Sequence, residues 1–383
     1  MKEFKSILAA YNKINFTERQ AALATVVKVR GSSYRSPGAR MLITDDGKWI
    51  GSISGGCLEG DALRKARQVM TTGEPKTVTY DIREESNQNL GIGLGCNGVI
   101  DVLIEPITTH KNPIAFFRQL VEKNQPAALA TVFQGLGIAE TILLTEDKNL
   151  IGQVSNPALR DLIADELINV FKTRVSHAKI FLVNGIEYEV FLELIQPSVS
   201  ILIFGGGFDA RPVSQLAKSL GWGVVVTDEC VAHIAPVFFP EADKLSLCQR
   251  DFIDRDFKIT PFTACVLMSH NYEYDRDVLK KVIKTESPYI GILGPRKRFD
   301  KMREEFKRDG FELTDEQMRR IHSPIGLDIG AEAPDEIALS IVAEIQSRFA
   351  NRSGGFLKYR HEPIHQRQPE SDQVYKFVGI NKP

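Results

Sequence analysis

The sequence predicts an α/β protein: an N-terminal α+β region built from two related copies, then a C-terminal Rossmann-like doubly wound parallel sheet. Three observations carry this. The run Ala21-Ala22-Leu23-Ala24-Thr25-Val26 returns as Ala127-Ala128-Leu129-Ala130-Thr131-Val132. The hairpin Thr44–Gly51 returns as Thr145–Gly152, in a register that holds through Ser54/Ser155 and Leu58/Leu159. From Val199 onward, short continuous apolar runs alternate with helical periodicity, the βαβ rhythm of a parallel sheet. The expected regions are 1–198 (repeats 1–108 and 109–198), a Rossmann-like domain at 199–350, and a polar tail at 351–383.

The first copy opens with an amphipathic helix at 3–14, then a strand at 21–29 and a loop from Arg30 to Gly38. Segments 39–45 and 48–53 form a hairpin, because Asp45-Asp46-Gly47 between apolar runs is a strong turn signal. A helix is expected at 57–72, closed by Gly73, followed by strands at 76–82 and 98–104. The second copy repeats the plan: helix 113–124, strand 127–133, hairpin 139–154, helix 157–172, and strands 178–183 and 186–194. In the Rossmann half, strands at 199–204, 222–227, 263–268 and 289–293 alternate with helices at 209–220 and 275–284. A last helix at 335–348 has Pro334 at its start and carboxylates in its first turn.

Composition narrows the function classes. A net charge of −1 provides no field for nucleic acid or an anionic membrane, so neither is expected as a partner. No apolar run approaches the ~20 residues of a membrane helix, and residues 1–5 show no secretory h-region. The five cysteines (57, 96, 230, 248 and 265) are odd in number and lack chelating spacing, which argues against a disulfide framework or a CxxC zinc site. A cytoplasmic location is the simplest expectation.

Two copies share the demands of folding, so what one copy alone possesses is the better candidate for function. The loop Gly31-Ser32-Ser33-Tyr34-Arg35-Ser36-Pro37-Gly38 shrinks to Gln134–Gly137 in the second copy; Ser33 and Arg35 in it suit an oxyanion. In Ser54-Gly55-Gly56-Cys57, Ser54 is expected as the helix N-cap and Cys57 in the first turn, where unpaired amides favour thiolate. The second copy keeps Ser155 but has Ala158 opposite Cys57, so the thiol is the extra feature; the alternative is a small buried apolar side chain. The third loop, Gly91–Gly98, surrounds Cys96 with four glycines and is replaced by Asn184-Gly185. If the three loops meet at one end of the module, the thiols of Cys57 and Cys96, Arg35 and a helix N-terminus suit a thiolate- or sulfur-linked, phosphorylated ligand.

The Rossmann half carries its own set. Gly205-Gly206-Gly207-Phe208-Asp209-Ala210 fits G-x-G-x-x-A after a strand, with Gly205 and Gly207 permitting a phosphate to approach and Asp228 ending the second strand where a ribose is held. Asp209 opposes a pyrophosphate at that helix start. His270 and His322 lie in strand-end loops, and with Asp275 they are candidates for proton transfer.

These residues resemble the XdhC/CoxI family, accessory proteins for xanthine dehydrogenase and related molybdenum hydroxylases. The match runs through Gly31-Ser32-Ser33 to Pro37-Gly38-Ala39, Gly55-Gly56-Cys57-Leu58-Glu59, Gly95-Cys96 through Glu105-Pro106, and Gly205-Gly206-Gly207. It continues in Ser269–Asp275, Gly291–Gly294 and His322-Ser323-Pro324-Ile325-Gly326-Leu327-Asp328-Ile329-Gly330. The resemblance implies a chaperone more than a catalyst: a protein that binds molybdenum cofactor (molybdopterin), supports its sulfuration and delivers it to an apo molybdenum hydroxylase. A cysteine desulfurase is a further implied partner and a homodimer the expected assembly. Cofactor contacts are expected at Ser33, Arg35, Ser54, Gly55, Gly56, Cys57 and Cys96, and a nucleotide such as NAD(P) at Gly205, Gly207 and Asp228. The competing reading is an NAD(P)- or flavin-dependent oxidoreductase with His270 as acid/base.

Overall fold

Buried on both faces, the central strands of the N-terminal region run as continuous apolar segments, and this dictates a layered arrangement. The computed structural model describes residues 1–82, 98–108, 111–361 and the backbone of Tyr375–Lys376. The chain divides into two units, one comprising Glu3–Pro197 with Tyr375–Lys376, the other Ser198–His361.

In the first unit, helix α1 (Lys2–Tyr11) precedes strands β1 (Ala21–Gly31), β2 (Arg40–Thr44) and β3 (Trp49–Gly51), helix α2 (Glu59–Thr72), and strands β4 (Lys76–Asp81) and β5 (Gly98–Pro106). The second copy follows as α3 (Ile114–Lys123), β6 (Ala127–Gln134), β7 (Thr141–Thr145), β8 (Leu150–Gln153), α4 (Pro157–Thr173), β9 (His177–Val183) and β10 (Ile186–Ile195). The first sheet has the order β3-β2-β1-β5-β4, and the second has β9-β10-β6-β7-β8 with β17 (Tyr375–Lys376) added parallel to β9. The period-2 alternation of a strand splits each sheet's side chains between two cores. On β1, Ala22, Ala24 and Val26 join Ala62, Ala66 and Val69 of α2. Leu23 and Val27, from the other face, meet Leu129, Phe133 and Phe191 of the second copy. The copies thus pack sheet against sheet, with α2 and α4 on the outer faces.

Strand register identifies counterparts that sequence alignment misses. Leu23 pairs with Glu105, and its counterpart Leu129 pairs with Glu193. Both glutamates are buried. Arg40, 3% exposed, holds Glu193 with both terminal nitrogens (Nη1–Oε1 3.0 Å) beneath the rings of Phe4 and Phe117. Arg40 pairs with Thr25 across the strands; the counterpart pair is Thr131 with Thr141, so Glu105 has no matching arginine.

The second unit is a parallel sheet of order β13-β12-β11-β14-β15-β16. Its elements are β11 (Ser200–Phe204), α5 (Ala210–Ser219), β12 (Gly223–Asp228), β13 (Lys244–Leu247), α6 (Ile253–Asp256), β14 (Thr263–Leu267), α7 (Tyr272–Val282), β15 (Tyr289–Ile292), α8 (Arg296–Arg308), α9 (Asp315–Arg320), β16 (Ile321–His322) and α10 (Pro334–Phe349). This is the doubly wound Rossmann order, whose switch point falls between β11 and β14. Sequence periodicity misses β13 because its four residues are intermediate or exposed at the sheet edge and carry no buried stripe.

Candidate functional site

The loop that carries Cys57 is organised by a residue the sequence reading did not single out. Glu59 is buried, and its carboxylate collects the chain ahead of it. Oε1 accepts from the hydroxyl of Ser52 (2.6 Å) and from the amides of Ile53 (3.1 Å), Ser54 (2.9 Å) and Gly55 (3.2 Å). Oε2 accepts from the Ser54 hydroxyl and from the amides of Gly56 (2.9 Å) and Leu58 (3.1 Å). Burial opposes the charge, yet the Ser52 and Ser54 hydroxyls and the surrounding amides hold this carboxyl down at about 2.

Two expectations are corrected here. Helix α2 starts at Glu59 rather than residue 57, so Cys57 lies in the preceding loop and outside the first turn. Ser54 is not the N-cap; its Oγ accepts from the amides of Cys57 (3.0 Å) and Leu58 (2.8 Å) within the loop. The physical reason is that the Glu59 carboxylate recruits amides that a helix would have left to solvent. Gly55 and Gly56, at φ of 88° and 123°, supply the non-helical backbone this requires. In the second copy Ser155 is likewise not the cap: Asn156 is, accepting from the Leu159 amide at 3.2 Å.

The first loop meets the second. The Tyr34 ring, 69% exposed as a residue, lies over Gly55, where an added methyl would sit 2.6 Å from Tyr34 Cδ1. Ser33 is buried and donates to the Arg35 carbonyl at 2.6 Å. Arg35 pairs with Glu3 through a terminal nitrogen, while its buried Nε has no hydrogen-bond partner among the described residues. Among the described residues, no atom beyond its own chain neighbours lies within 4 Å of where a side chain on Gly56 would begin. Cys57 is half-buried and borders the α2 core. A soft thiol, an unsatisfied guanidinium nitrogen and open backbone form a donor set that fits an anionic ligand bearing a soft metal. Cys96 and residues 91–97 of the third loop lie outside the described residues. Of the other thiols, Cys248 is pushed up by burial and its bond to Asp256 to about 11, and Cys265 by burial to about 12, which makes both inert.

In the second unit the strand ends β11 and β14 are pressed together. An added methyl on Gly205 would lie 2.4 Å from Ser269 Cα, so only glycine fits there. The His270 ring borders Gly207 and its Nε2 lies 3.2 Å from Asp209 Oδ2, at the start of α5. His270 takes a φ of 61°, unusual for a non-glycine residue. Asp228 is engaged by its own neighbourhood: Oδ2 accepts from the Gly206 amide at 2.8 Å and contacts His233 Nδ1 at 3.1 Å, and Oδ1 accepts from the Cys230 amide at 2.8 Å. Its carboxylate thereby fixes the glycine loop to β12.

Asp275 and His322 are likewise enclosed. Asp275, 1% exposed, accepts from the Ser269 hydroxyl (2.6 Å) and from Arg298 (2.7 Å). Burial raises its pKa and those partners oppose the rise; the carboxylate shapes the turn that presents His270. His322 stacks on Tyr289 at 4.3 Å, and its Nδ1 lies 3.1 Å from Glu344 Oε1. Glu344 also accepts from Tyr289 and the Gly326 amide; against burial, these bonds lower its pKa. His270, Asp275 and His322 therefore do not converge on one acid–base pair. Glu59 and Glu344 were missed by sequence reasoning, and Asp209, expected only to oppose a pyrophosphate, is the partner of His270. Glu59 alone had a usable signal, since Arg160 stands opposite it in the second copy.

Comparison with known proteins agrees with this architecture. A model of the XdhC and CoxI family matches residues 17–81, and a model of the XdhC Rossmann domain matches 201–345. The chain is 30% identical over 329 residues to a probable xanthine dehydrogenase subunit from Bacillus subtilis (strain 168), covering 86% of this chain and 93% of the relative. It is 24% identical over 327 residues to the "Molybdenum cofactor insertion chaperone PaoD" of Escherichia coli (strain K12), covering 85% and 83%. A crystal structure described as a xanthine dehydrogenase from Bacillus halodurans superimposes with a TM-score of 0.74 at 28% identity, over 92% of this chain and 97% of that one. The chain belongs to the XdhC and CoxI family.

Proposed function

We propose that this chain is an accessory protein that takes up molybdenum cofactor, holds it while a cysteine desulfurase partner supports its sulfuration, and delivers it to an apo molybdenum hydroxylase of the xanthine dehydrogenase type. The observation that carries the reading is the contact of Tyr34 with Gly55, which joins the Arg35 loop to the Cys57 loop in the copy that alone has the thiol. Cys57, with Cys96 of the third loop, supplies soft donors for a molybdenum–sulfur cargo. Arg35 retains a donor for a phosphate, while Glu3 orients its guanidinium. The amides of Ser54, Gly55, Gly56 and Leu58 donate to Glu59 and that of Cys57 to Ser54 Oγ, which weighs against a phosphate there. The relatives' names, one a molybdenum cofactor insertion chaperone, support the same reading. We further propose a homodimer working in a reducing cytoplasm.

The test is elemental and pterin analysis of protein co-expressed with cofactor biosynthesis. Molybdenum and pterin should co-purify, and content should fall about tenfold in the Cys57→Ala, Cys96→Ala double variant. Undiminished content in that variant, with unchanged activation of a client hydroxylase, overturns the reading. The Rossmann strand order favours one addition, a nucleotide at Gly205–Gly207 beside the β11/β14 switch point, whereas the engagement of Asp228 with Gly206 weighs against it. Thermal titration with NAD(P) decides that point: stabilisation coupled to turnover would favour the oxidoreductase.

A further inference from the structure

The two copies build the turn after their edge strands in different ways, and the difference falls where the thiol is. In the second copy Ser155 is held by Glu140, its amide donating to Oε2 at 2.9 Å and its hydroxyl to Oε1. Asn156 caps α4, which begins at Pro157. Pro157 is the counterpart of Gly56, and Arg160 is the counterpart of Glu59. The fold therefore does not need a carboxylate at the latter position. In the first copy the helix begins only at Glu59, and the residues that would have formed its start become a loop wrapped round that carboxylate. Cys57 sits in this loop. Its amide donates to Ser54 Oγ at 3.0 Å, and the Ser54 hydroxyl donates to Glu59 Oε2. One hydroxyl separates the backbone of the thiol residue from the carboxylate.

We propose that Glu59 is the positioning residue for Cys57: its carboxylate replaces the start of the helix with the Ser52–Leu58 loop and so holds the thiol half-buried beside the open backbone of Gly56. The assignment rests on Cys57 being a cofactor contact, but the geometry can be tested apart from it. A thiol on the first helical turn would occupy the position of Ala158, which is exposed. It would also face the free amides that lower thiol pKa. Moving Cys57 from loop to helix should therefore make it more reactive.

Two variants test this. Glu59→Gln puts amide hydrogens against the loop's donors and should loosen it. The triple variant Gly55→Asn, Gly56→Pro, Glu59→Arg writes the second copy's helix start around an intact Cys57, and serves as the folded control because the same residues support α4. Iodoacetamide labelling of Cys57, located by mass spectrometry across a pH series, should be about tenfold faster in both variants than in the parent chain, with the triple variant's profile shifted to lower pH. In both, molybdenum and pterin retained after co-expression should fall although the thiol is present. An unchanged labelling rate and pH profile in the triple variant overturns the positioning role, whatever Cys57 does. If labelling changes as expected but Cys57→Ala retains cofactor normally, the cofactor role of Cys57 fails and the positioning geometry stands.

Discussion

Glu105 makes the stability of the first unit fall as pH rises through neutrality, and the reason lies in an incomplete duplication. Glu105 and Glu193 occupy counterpart positions, opposite Leu23 and Leu129. Glu193 faces Arg40, whereas the residue that would serve Glu105 in the same way is Thr141. Burial pushes the Glu105 carboxyl up to about 8 from a reference of 4.5, with the charge of Arg40 pulling the other way. Because the folded-state value is raised, the folded chain keeps this proton over an interval in which the unfolded chain has lost it. Stability from this group is complete below pH ~4.5 and declines as pH rises through about 8, at up to ~1.4 kcal/mol per pH unit. Across the whole interval that amounts to something on the order of 5 kcal/mol, comparable with the entire stability of a small domain.

Glu105→Gln replaces the neutral acid with a neutral isostere and removes its proton from the balance. Urea denaturation at pH 5.0, 6.5 and 8.0 should show the parent chain losing stability with pH more steeply than the variant, the gap widening by roughly 1 kcal/mol per unit. Thr141→Arg, which restores the partner that Glu193 has, should flatten the same slope by lowering the Glu105 pKa. Parallel pH dependences for parent and Gln variant, or a Glu105 carboxyl signal titrating near 4.5 by NMR, would refute the reasoning.

Arg40→Ala leaves Glu193 buried without its cation and should cost about 3–5 kcal/mol in urea denaturation, while Arg40→Met combined with Glu193→Leu should recover most of the loss. Glu59→Gln should cost about 3 kcal/mol at pH 7, from a carboxyl held near 2 against 4.5. That difference should vanish as pH falls from 4.5 towards 2, because a depressed pKa stabilises only while the group is ionised. Glu140→Gln, at an exposed serine beside an independently capped helix, should cost under ~1 kcal/mol, and equal losses for the two glutamates would contradict their different environments.

The architecture was legible because it rests on local and periodic signals. Strands with both faces buried read as continuous apolar runs, Gly73 ends α2 in the left-handed conformation expected of it, and the Rossmann half announces itself through strand, glycine loop and helix. The site was legible only in part. Subtracting one copy from the other isolated Tyr34, Arg35 and Cys57, whose loops do meet. It misplaced the start of α2, because Ser54 has the chemistry of a cap and nothing local reveals that a carboxylate five residues on has taken its amides. The spacing of Asp228 fits the ribose pattern but does not reveal that a carboxylate at a strand end can also turn back onto its own glycine loop, as here.

The counterpart glutamates expose the limit of sequence comparison most directly. Aligned by the prolines that end each copy, Glu105 falls opposite Gln196, and Glu193 appears unmatched. Only strand pairing, Leu23 with Glu105 and Leu129 with Glu193, shows that the same site holds an acid in both copies. Both copies carry a bulge at the same place, between Val26 and Lys28 in the first and between Val132 and Gln134 in the second, so their ladders stay in step while the count to the closing proline differs. Side-chain roles therefore follow the ladder, not the residue count. The same logic separates Glu59 from Glu140: both grip the shared serine, yet one reaches it from a helix and the other from the strand connection. Relocating that carboxylate to the helix is what withdraws the helix start and leaves a loop for Cys57, so the thiol and the glutamate are better regarded as one acquisition than two.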